Sequence, residues 1–265
     1  MKIVIMFFFL ISCAFANIYY SKAEPYELRK ISSNVSGEVI FTNENMLGKK
    51  LSTKPYIIID SQLDKDELNA IKQKLKYYKK ILENNKVILA NLEKTLELKR
   101  KNYKRVKALK IRSQIEKDNE YYNLINSENS YISTQKEISN LKINIADLEL
   151  RKKQLLKTIH DKSLSEKGFV LYSIEVKPGQ VVSFATPLAT IADTSKALLT
   201  IYLDDEDLAH LDKKKVYLND KKTDYKINRV VNIADTKNIS KYKAQIIIKA
   251  PKIFSKLVKV ELKED

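Results

Sequence analysis

The fold is decided by residues 68–106, which read LNAIKQKLKYYKKILENNKVILANLEKTLELKRKNYKRV. An apolar or tyrosine side chain recurs at nearly every seventh position from Leu68 to Tyr103. A second apolar series lies three residues after the first and includes Ile71, Tyr78 and Leu92. Such a repeat places a narrow apolar stripe along one side of a helix, and this stripe is buried only against another helix. The pattern therefore predicts a long coiled-coil helix.

A second heptad pattern predicts the partner helix. Its apolar positions are Leu124, Tyr131, Ile138, Leu141, Ile145, Leu148, Leu155 and Ile159, interrupted at Lys152. Gly and Pro are absent from Tyr56 to Lys167, so no residue in that stretch breaks a helix. The pattern weakens between about Leu109 and Ile115, where we expect the turn. Two helices of about 43–46 residues would form an antiparallel hairpin about 65 Å long.

The glycines predict a β module on either side of this hairpin. Gly37 is followed eleven residues later by Gly48, and Gly168 is followed eleven residues later by Gly179. Each pair is surrounded by short runs of β-forming residues. Glycine suits the turns between such runs because a left-handed backbone costs other residues about 1–2 kcal/mol. The repeat predicts one β module that the hairpin splits into two halves.

Alternating apolar residues predict a small β-barrel after Asp193. The expected strands cover 197–203, 226–231, 244–248 and 258–262, and an N-terminal strand over 26–31 would complete the barrel. Between the first two strands, Asp204 or Asp205 can cap a short helix.

The N-terminus predicts export. Ile3–Ile11 is an uninterrupted apolar run that is shorter than the roughly 20 residues of a membrane-spanning helix but suits a signal peptide. Cleavage after Ala16 would give a signal peptide over 1–16. In a second interpretation Leu10–Cys13 is a lipobox, the signal covers 1–12, and Cys13 is acylated and anchors the chain. The single cysteine excludes a disulfide framework.

Composition limits the classes of function. The chain has 49 Lys and Arg against 33 Asp and Glu, a net charge of +16 that favours acidic partners. Export disfavours nucleic acid among those partners. No catalytic motif and no cofactor or metal site is expected. The acidic run Asp204–Asp207 lacks the alternation and glycine of a cation loop, and His160 and His210 have no ligand set around them.

The order of these parts resembles the periplasmic adaptor, or membrane fusion protein, family (HlyD-like) of bacterial tripartite efflux pumps. The segment Val35–Val39 is similar to the entry of the family's first lipoyl-like half-motif, and Gly168–Val170 with Val176–Val182 is similar to its second. The resemblance implies an α+β fold in which a long antiparallel coiled-coil hairpin is inserted in a split lipoyl-like (hammerhead) β domain, followed by a small β-barrel domain. The expected boundaries are an N-terminal strand over 17–34, half-motifs over 35–60 and 163–194, a hairpin over 61–162 and a barrel over 195–265.

The family also carries a hairpin-tip pattern of Arg, three residues, Leu, six residues and Ser, which docks onto an outer-membrane channel. Ser113 matches the serine and Asp118 stands where related hairpins often have an aspartate. Val106 replaces the leucine. Asn102 replaces the arginine, although Arg105 and Lys101 flank it.

The resemblance implies a non-enzymatic adaptor in the periplasm of a Gram-negative bacterium. Such an adaptor assembles as a trimer or hexamer and bridges an inner-membrane transporter to an outer-membrane channel. The absence of a retained membrane helix favours a resistance-nodulation-division transporter, with an ATP-driven transporter as the alternative. Two other readings stay open: an exported structural coiled-coil protein, and a basic envelope-binding protein.

Overall fold

The computed structural model describes residues 17–208, 211, 213–234 and 241–264. The predicted signal peptide with Cys13, and also His210, lie outside the described residues. The chain divides into two compact units. The hairpin unit consists of Asn34–Ile40 and Ile58–Leu164. The β unit consists of Phe41–Ile57 together with the segments before Asn34 and after Leu164.

The elements follow one another in a simple order. The strands are β1 (Ile18–Lys22), β2 (Glu24–Ser32), β3 (Gly37–Thr42), β4 (Ile57–Ile59), β5 (Ser163–Leu164), β6 (Val170–Ile174), β7 (Val181–Val182), β8 (Pro187–Leu203), β9 (Lys214–Leu218), β10 (Lys221–Lys222), β11 (Ile227–Ala234), β12 (Tyr242–Lys249) and β13 (Leu257–Glu264). The helices are α1 (Gln62–Ala108), α2 (Gln114–Asp161) and the short α3 (Asp205–Leu208).

The predicted antiparallel helical hairpin is confirmed. Its helices have 47 and 48 residues, slightly more than the heptads alone indicate, because capped turns extend both patterns. Leu68, Ile71 and Leu75 of α1 are buried in one cluster with Leu155 of α2. Ion pairs cross the outside of this seam, among them Lys79–Glu149 and Arg151–Glu67, both at 2.8 Å.

Three short strands, in the order β5-β4-β3, lie at the base of the hairpin. The backbone N–H of Ile59 donates to the carbonyl of Lys162 at 2.8 Å, just beyond α2. The ammonium of Lys162 pairs with Asp64 at 2.6 Å, and both side chains are largely buried. Gly37 begins β3, and a Cβ there would lie only 2.8 Å from Cγ2 of Ile59. Close packing therefore requires glycine at this position.

In the β unit, the two halves predicted from the glycine repeat pair directly. The N–H of Gly48 donates to the carbonyl of Leu171 at 2.8 Å, and the N–H of Leu51 donates to that of Phe169 at 2.7 Å. Gly48 has a φ of +72°, in the left-handed region, at the turn between these contacts. Segments more than a hundred residues apart in sequence thus form one module.

The longest strand, β8, was expected to be two. The sequence predicts that the second half-motif ends at residue 194 and that a new strand begins at residue 197, but β8 is continuous over 17 residues. Ser195 and Lys196 lie exposed within this strand, which stays continuous because β2 pairs with β8 on both sides of them, from Glu24–Leu198 to Ser32–Pro187. A shared neighbour keeps the strand extended where the sequence indicates a turn.

All the other strands except β7 form two open sheets, ordered β1-β13-β9-β10 and β11-β12-β8-β2, with β6 also paired to β8. Their inner faces share a core that includes Leu199, Ile201 and Val260. Among the described residues neither sheet closes, so the expected barrel takes the form of two sheets. The N-terminal segment contributes two strands rather than one: β1 pairs with β13, and β2 with β8. Within the described ranges, no helix has both the length and the apolar composition to cross a bilayer.

Candidate docking site at the hairpin tip

The tip is a five-residue turn between two capped helices. After α1 ends, the N–H of Leu109 donates to the carbonyl of Val106 at 3.2 Å. Ser113 is the N-cap of α2, and its hydroxyl accepts a hydrogen bond from the N–H of Glu116 at 3.3 Å. In return the Glu116 carboxylate accepts from the N–H of Ser113 at 2.9 Å. This reciprocal capping box satisfies backbone donors that the start of a helix leaves unpaired.

Glu116 also binds the arginine that precedes the cap. Nη1 of Arg112 donates to Oε1 of Glu116 at 2.8 Å. The pKa of Glu116 is held below its ordinary value, mainly by the hydrogen bond from the Ser113 backbone and then by Arg112. The carboxylate is therefore ionised at neutral pH and fixes the last turn residues against α2.

The residues that the resemblance assigns to channel docking lie on the adjoining turns of the two helices. Asn102, which replaces the family's arginine, accepts a hydrogen bond from Nη2 of Arg105 at 2.7 Å. Arg105 lies one helical turn nearer the tip, and this bond holds its side chain in place. Asp118 accepts from Gln114 at 2.8 Å. Val106 is half-buried. Most of these side chains thus have intramolecular partners.

Two isoleucines at the tip were missed by the sequence interpretation. Ile111 is 90% exposed and Ile115 is 73% exposed. Both lie where the heptad pattern weakens. Their position outside the apolar stripe was the only feature of the sequence that could have indicated their exposure. In the adjoining helical turns, the ring centroids of Tyr103 and Tyr121 lie 5.4 Å apart, so these rings connect the two helices. The tip thus presents two exposed apolar side chains beside a packed contact between the helices.

A basic cluster surrounds these isoleucines. Its members are Lys99, Arg100, Lys101, Lys104, Arg105, Lys107, Lys110 and Arg112. Arg100 pairs with Glu128 at 2.9 Å across the hairpin, and Arg112 pairs with Glu116. Within the part of the chain that the structure describes, the cluster's five lysines form no ion pair. An acidic surface would relieve their mutual repulsion.

The acidic run at α3 is part of the fold. Asp207 is buried and pairs with Lys214 at 3.1 Å. Its carboxylate also accepts hydrogen bonds from the hydroxyl of Tyr19 and from the amide of Asn17. In the described ranges, no group of three or more His, Cys, Asp or Glu side chains is placed to hold a metal ion.

Comparisons with known proteins identify the fold. No protein-family model matches the chain, and no curated protein matches it. Solved structures do match over 94% of its length. They include MacA from Actinobacillus actinomycetemcomitans (18% identity, 79% of that chain, TM-score 0.65), a MacA–MexA chimera with the Pseudomonas aeruginosa MexA α-hairpin domain (15%, 81%, 0.57) and a membrane fusion protein from Streptococcus pneumoniae (12%, 99%, 0.55).

At these low identities, the structural similarity establishes a common fold, and fold by itself does not determine function. The features in common are the long helical hairpin and the β sheets. The chain thus has the fold of the membrane fusion proteins, the family that its sequence resembles.

Proposed function

We propose that the protein is a non-enzymatic periplasmic adaptor of a tripartite export pump. Copies of the chain form a ring, a trimer or hexamer by resemblance, that bridges an inner-membrane transporter to an outer-membrane channel. One observation carries this proposal: a chain with the membrane fusion fold presents a hairpin tip with exposed isoleucines inside a basic cluster. The transporter we propose is of the resistance-nodulation-division type, with an ATP-driven one as the alternative.

In the proposed mechanism the tip meets the periplasmic end of the channel. Ile111 and Ile115 would enter apolar depressions, while the lysines approach carboxylates around them. Charges at such a rim accelerate encounter over a screening length of about 8–10 Å and make association depend on salt. The capping box at Ser113 holds the tip in one conformation, which reduces the entropy lost on docking.

The hairpin flanks would pack side by side in the ring. Outside the seam, one row of large exposed apolar side chains follows each helix, while other exposed apolar residues, such as Leu98, lie off these rows. The rows consist of Leu63, Tyr77, Ile81 and Ile88 on α1, and of Ile132, Ile143 and Leu150 on α2. Each set falls within about 40° on its helix at 3.6 residues per turn. Helix α1 has fourteen basic and six acidic residues, whereas α2 has seven and eight. This asymmetry favours contact between α1 of one copy and α2 of the next.

Photo-crosslinking in cells tests the proposal. The crosslinking amino acid replaces Ile111, which is exposed and has no part in the cap, and Ile88 on the flank of α1 serves as the matched control position. We expect position 111 to capture an outer-membrane channel and position 88 to capture copies of the chain. Capture of only self-copies at position 111 would overturn the bridging role and favour the exported structural rod. Capture of cytosolic protein or nucleic acid would overturn the predicted localisation.

A further inference from the structure

The seam between α1 and α2 changes in composition halfway along the hairpin. Leu75 of α1 lies in a buried cluster with Leu155 of α2, and Leu148 packs against this cluster. Because the helices are antiparallel, each heptad forward on α1 lies opposite one heptad back on α2. The hairpin therefore has two halves of facing heptads. The proximal half covers residues 66–82 and 141–159, and the distal half covers residues 85–103 and 120–138.

The seam of the proximal half is almost wholly apolar. Its heptad positions carry leucine, isoleucine or tyrosine, and Lys152 is the one exception. The ammonium of Lys152 pairs with Glu149 on the same helix at 3.3 Å. Beyond this half, Lys162 pairs with Asp64 across the two helices, and both side chains are largely buried. Apolar packing and ion pairs thus close the hairpin at its base.

Polar side chains occupy seam positions of α2 in the distal half. Thr134 and Ser127 continue the series of Leu148 one heptad at a time beyond Leu141, and both are half-buried. Each hydroxyl donates to the carbonyl four residues earlier in α2, at 3.0 Å for Ser127 and 3.1 Å for Thr134. These donors are used within their own helix, and such bonds also favour helix bending. The two positions therefore add little to the contact with α1.

Helix α1 also places polar side chains in the distal seam. Asn85 is only 7% exposed, and its Nδ2 has no hydrogen-bond partner among the described residues. Lys99 stands two heptads further along the same series and is half-buried. A polar group that is buried without a partner disfavours the closed seam, whereas a packed apolar group favours it. The distal seam is consequently held less firmly than the proximal seam.

A groove of about 730 Å³ spans both helices in the distal half. It is lined in part by Leu96 of α1 and by Tyr131 and Ile132 of α2. Ile132 is 58% exposed, and an apolar side chain that already faces water loses little burial when the helices move apart. Arg100 and Glu128 also line the groove, and their ion pair lies in solvent, where such pairs contribute little to stability.

We propose that the distal half is a compliant segment, in which the two helices separate and repack while the proximal half stays closed. The capping box at Ser113 preserves the turn that joins the helices during this motion. In the adaptor, the motion would let the tip adjust to the periplasmic end of its channel without disturbing the base of the hairpin. That use of the motion rests on the proposed function, whereas the motion itself does not.

Hydrogen exchange of the purified protein, resolved along the chain by mass spectrometry, tests this proposal. A helix that loses its packing partner is only marginally stable, so its amides exchange when the seam opens. The test variant carries Ser127→Leu and Thr134→Leu in the seam. The control variant carries Asn126→Leu and Ser133→Leu at the neighbouring exposed positions, with a similar gain in helix propensity. Circular dichroism verifies that the variants are folded. If the test variant is not, Thr134→Val replaces it, since this change keeps nearly the same side-chain volume.

We expect protection factors in the distal half to be at least tenfold below those in the proximal half. The test variant should raise the distal values about a hundredfold, about tenfold for each leucine that enters the seam, and leave the proximal values unchanged. Thr134→Val should give a smaller rise in the same residues. The control variant should raise the distal values only about threefold, through helix propensity.

Two results would overturn the proposal. Equal protection of the two halves in the unmodified protein would show that they open together. An equal rise in the test and control variants would show that the polar seam does not limit opening. Crosslinking at position 111 is decided separately, because it reports whether the tip meets a channel and not how the hairpin opens.

Discussion

Replacing Asn85 with leucine is expected to stabilise the hairpin unit by up to about 2 kcal/mol. Asn85 stands in the second apolar series, between Tyr78 and Leu92, where it is only 7% exposed. Its Nδ2 has no hydrogen-bond partner. A buried donor without a partner costs about 1–3 kcal/mol, which the substitution removes. Leucine is of similar size, and its different shape returns about 1 kcal/mol of strain.

Thermal unfolding, followed by the helical circular dichroism signal, measures this effect. For a chain of this size, 1 kcal/mol shifts the midpoint by about 2–4 °C, so Asn85→Leu should raise it by up to about 8 °C. The matched control is Asn84→Leu, at the neighbouring exposed position, which should change stability by less than about 0.5 kcal/mol.

A loss of more than about 1 kcal/mol in Asn85→Leu would refute this reasoning. It would mean that the Asn85 amide does have a partner in solution, such as an ordered water or a neighbouring copy. A polar residue at one coiled-coil core position fixes helix register at a cost in stability. We therefore also expect Asn85→Leu to form hairpins of more than one register, detectable as extra cysteine-crosslinked species across the seam.

Three further predictions concern the cap, the base of the hairpin and the buried ion pair. The pKa of Glu116 is lowered in the folded state, chiefly by the Ser113 backbone, so its contribution to stability is present at neutral pH and is lost as pH falls below 4.5. The hydrogen-exchange protection factors of the amides at the start of α2, which are corrected for intrinsic exchange at each pH, should then decrease, and unchanged protection factors would contradict this. Gly37→Ala should destabilise the chain by about 1–3 kcal/mol in denaturant unfolding, since its new methyl group overlaps a β4 side chain, and a neutral result would mean that the strand shifts freely. Asp207→Asn should cost about 3–5 kcal/mol in the same assay because it leaves the Lys214 ammonium buried, and a cost below 1 kcal/mol would show that water reaches the lysine.

The hairpin could be predicted from the sequence because the features that specify it lie within the helices themselves. A seven-residue repeat and the absence of Gly and Pro between Tyr56 and Lys167 each indicate one long helix pair. The split β module was also predictable, since two glycine pairs repeat the same spacing. Strand β8 was not, because what keeps it extended past Asp193 is a neighbouring strand that lies more than 150 residues earlier in the chain.

The candidate surfaces divide in the same way. The basic cluster at the tip is contiguous in sequence and can be read from it directly. The Ser-x-x-Glu pattern at Ser113 can likewise be read as a capping box. By contrast, only strand pairing places Lys22, Lys215 and Lys263 on one face of a sheet. No periodicity within a single segment reveals such a set.

The cap changes how the tip should be understood. In the family pattern the serine is a docking residue, but here the hydroxyl of Ser113 accepts from the N–H of Glu116 and donates to its carboxylate. A partner that uses that donor would displace its bond to the Glu116 carboxylate and so weaken the capping box, and loss of a cap costs about 0.5–2 kcal/mol. Ile111 and the neighbouring lysines carry no such cost, since they already face solvent. We therefore infer that, in any docking, Ser113 acts by shaping the turn while its exposed neighbours make the contact.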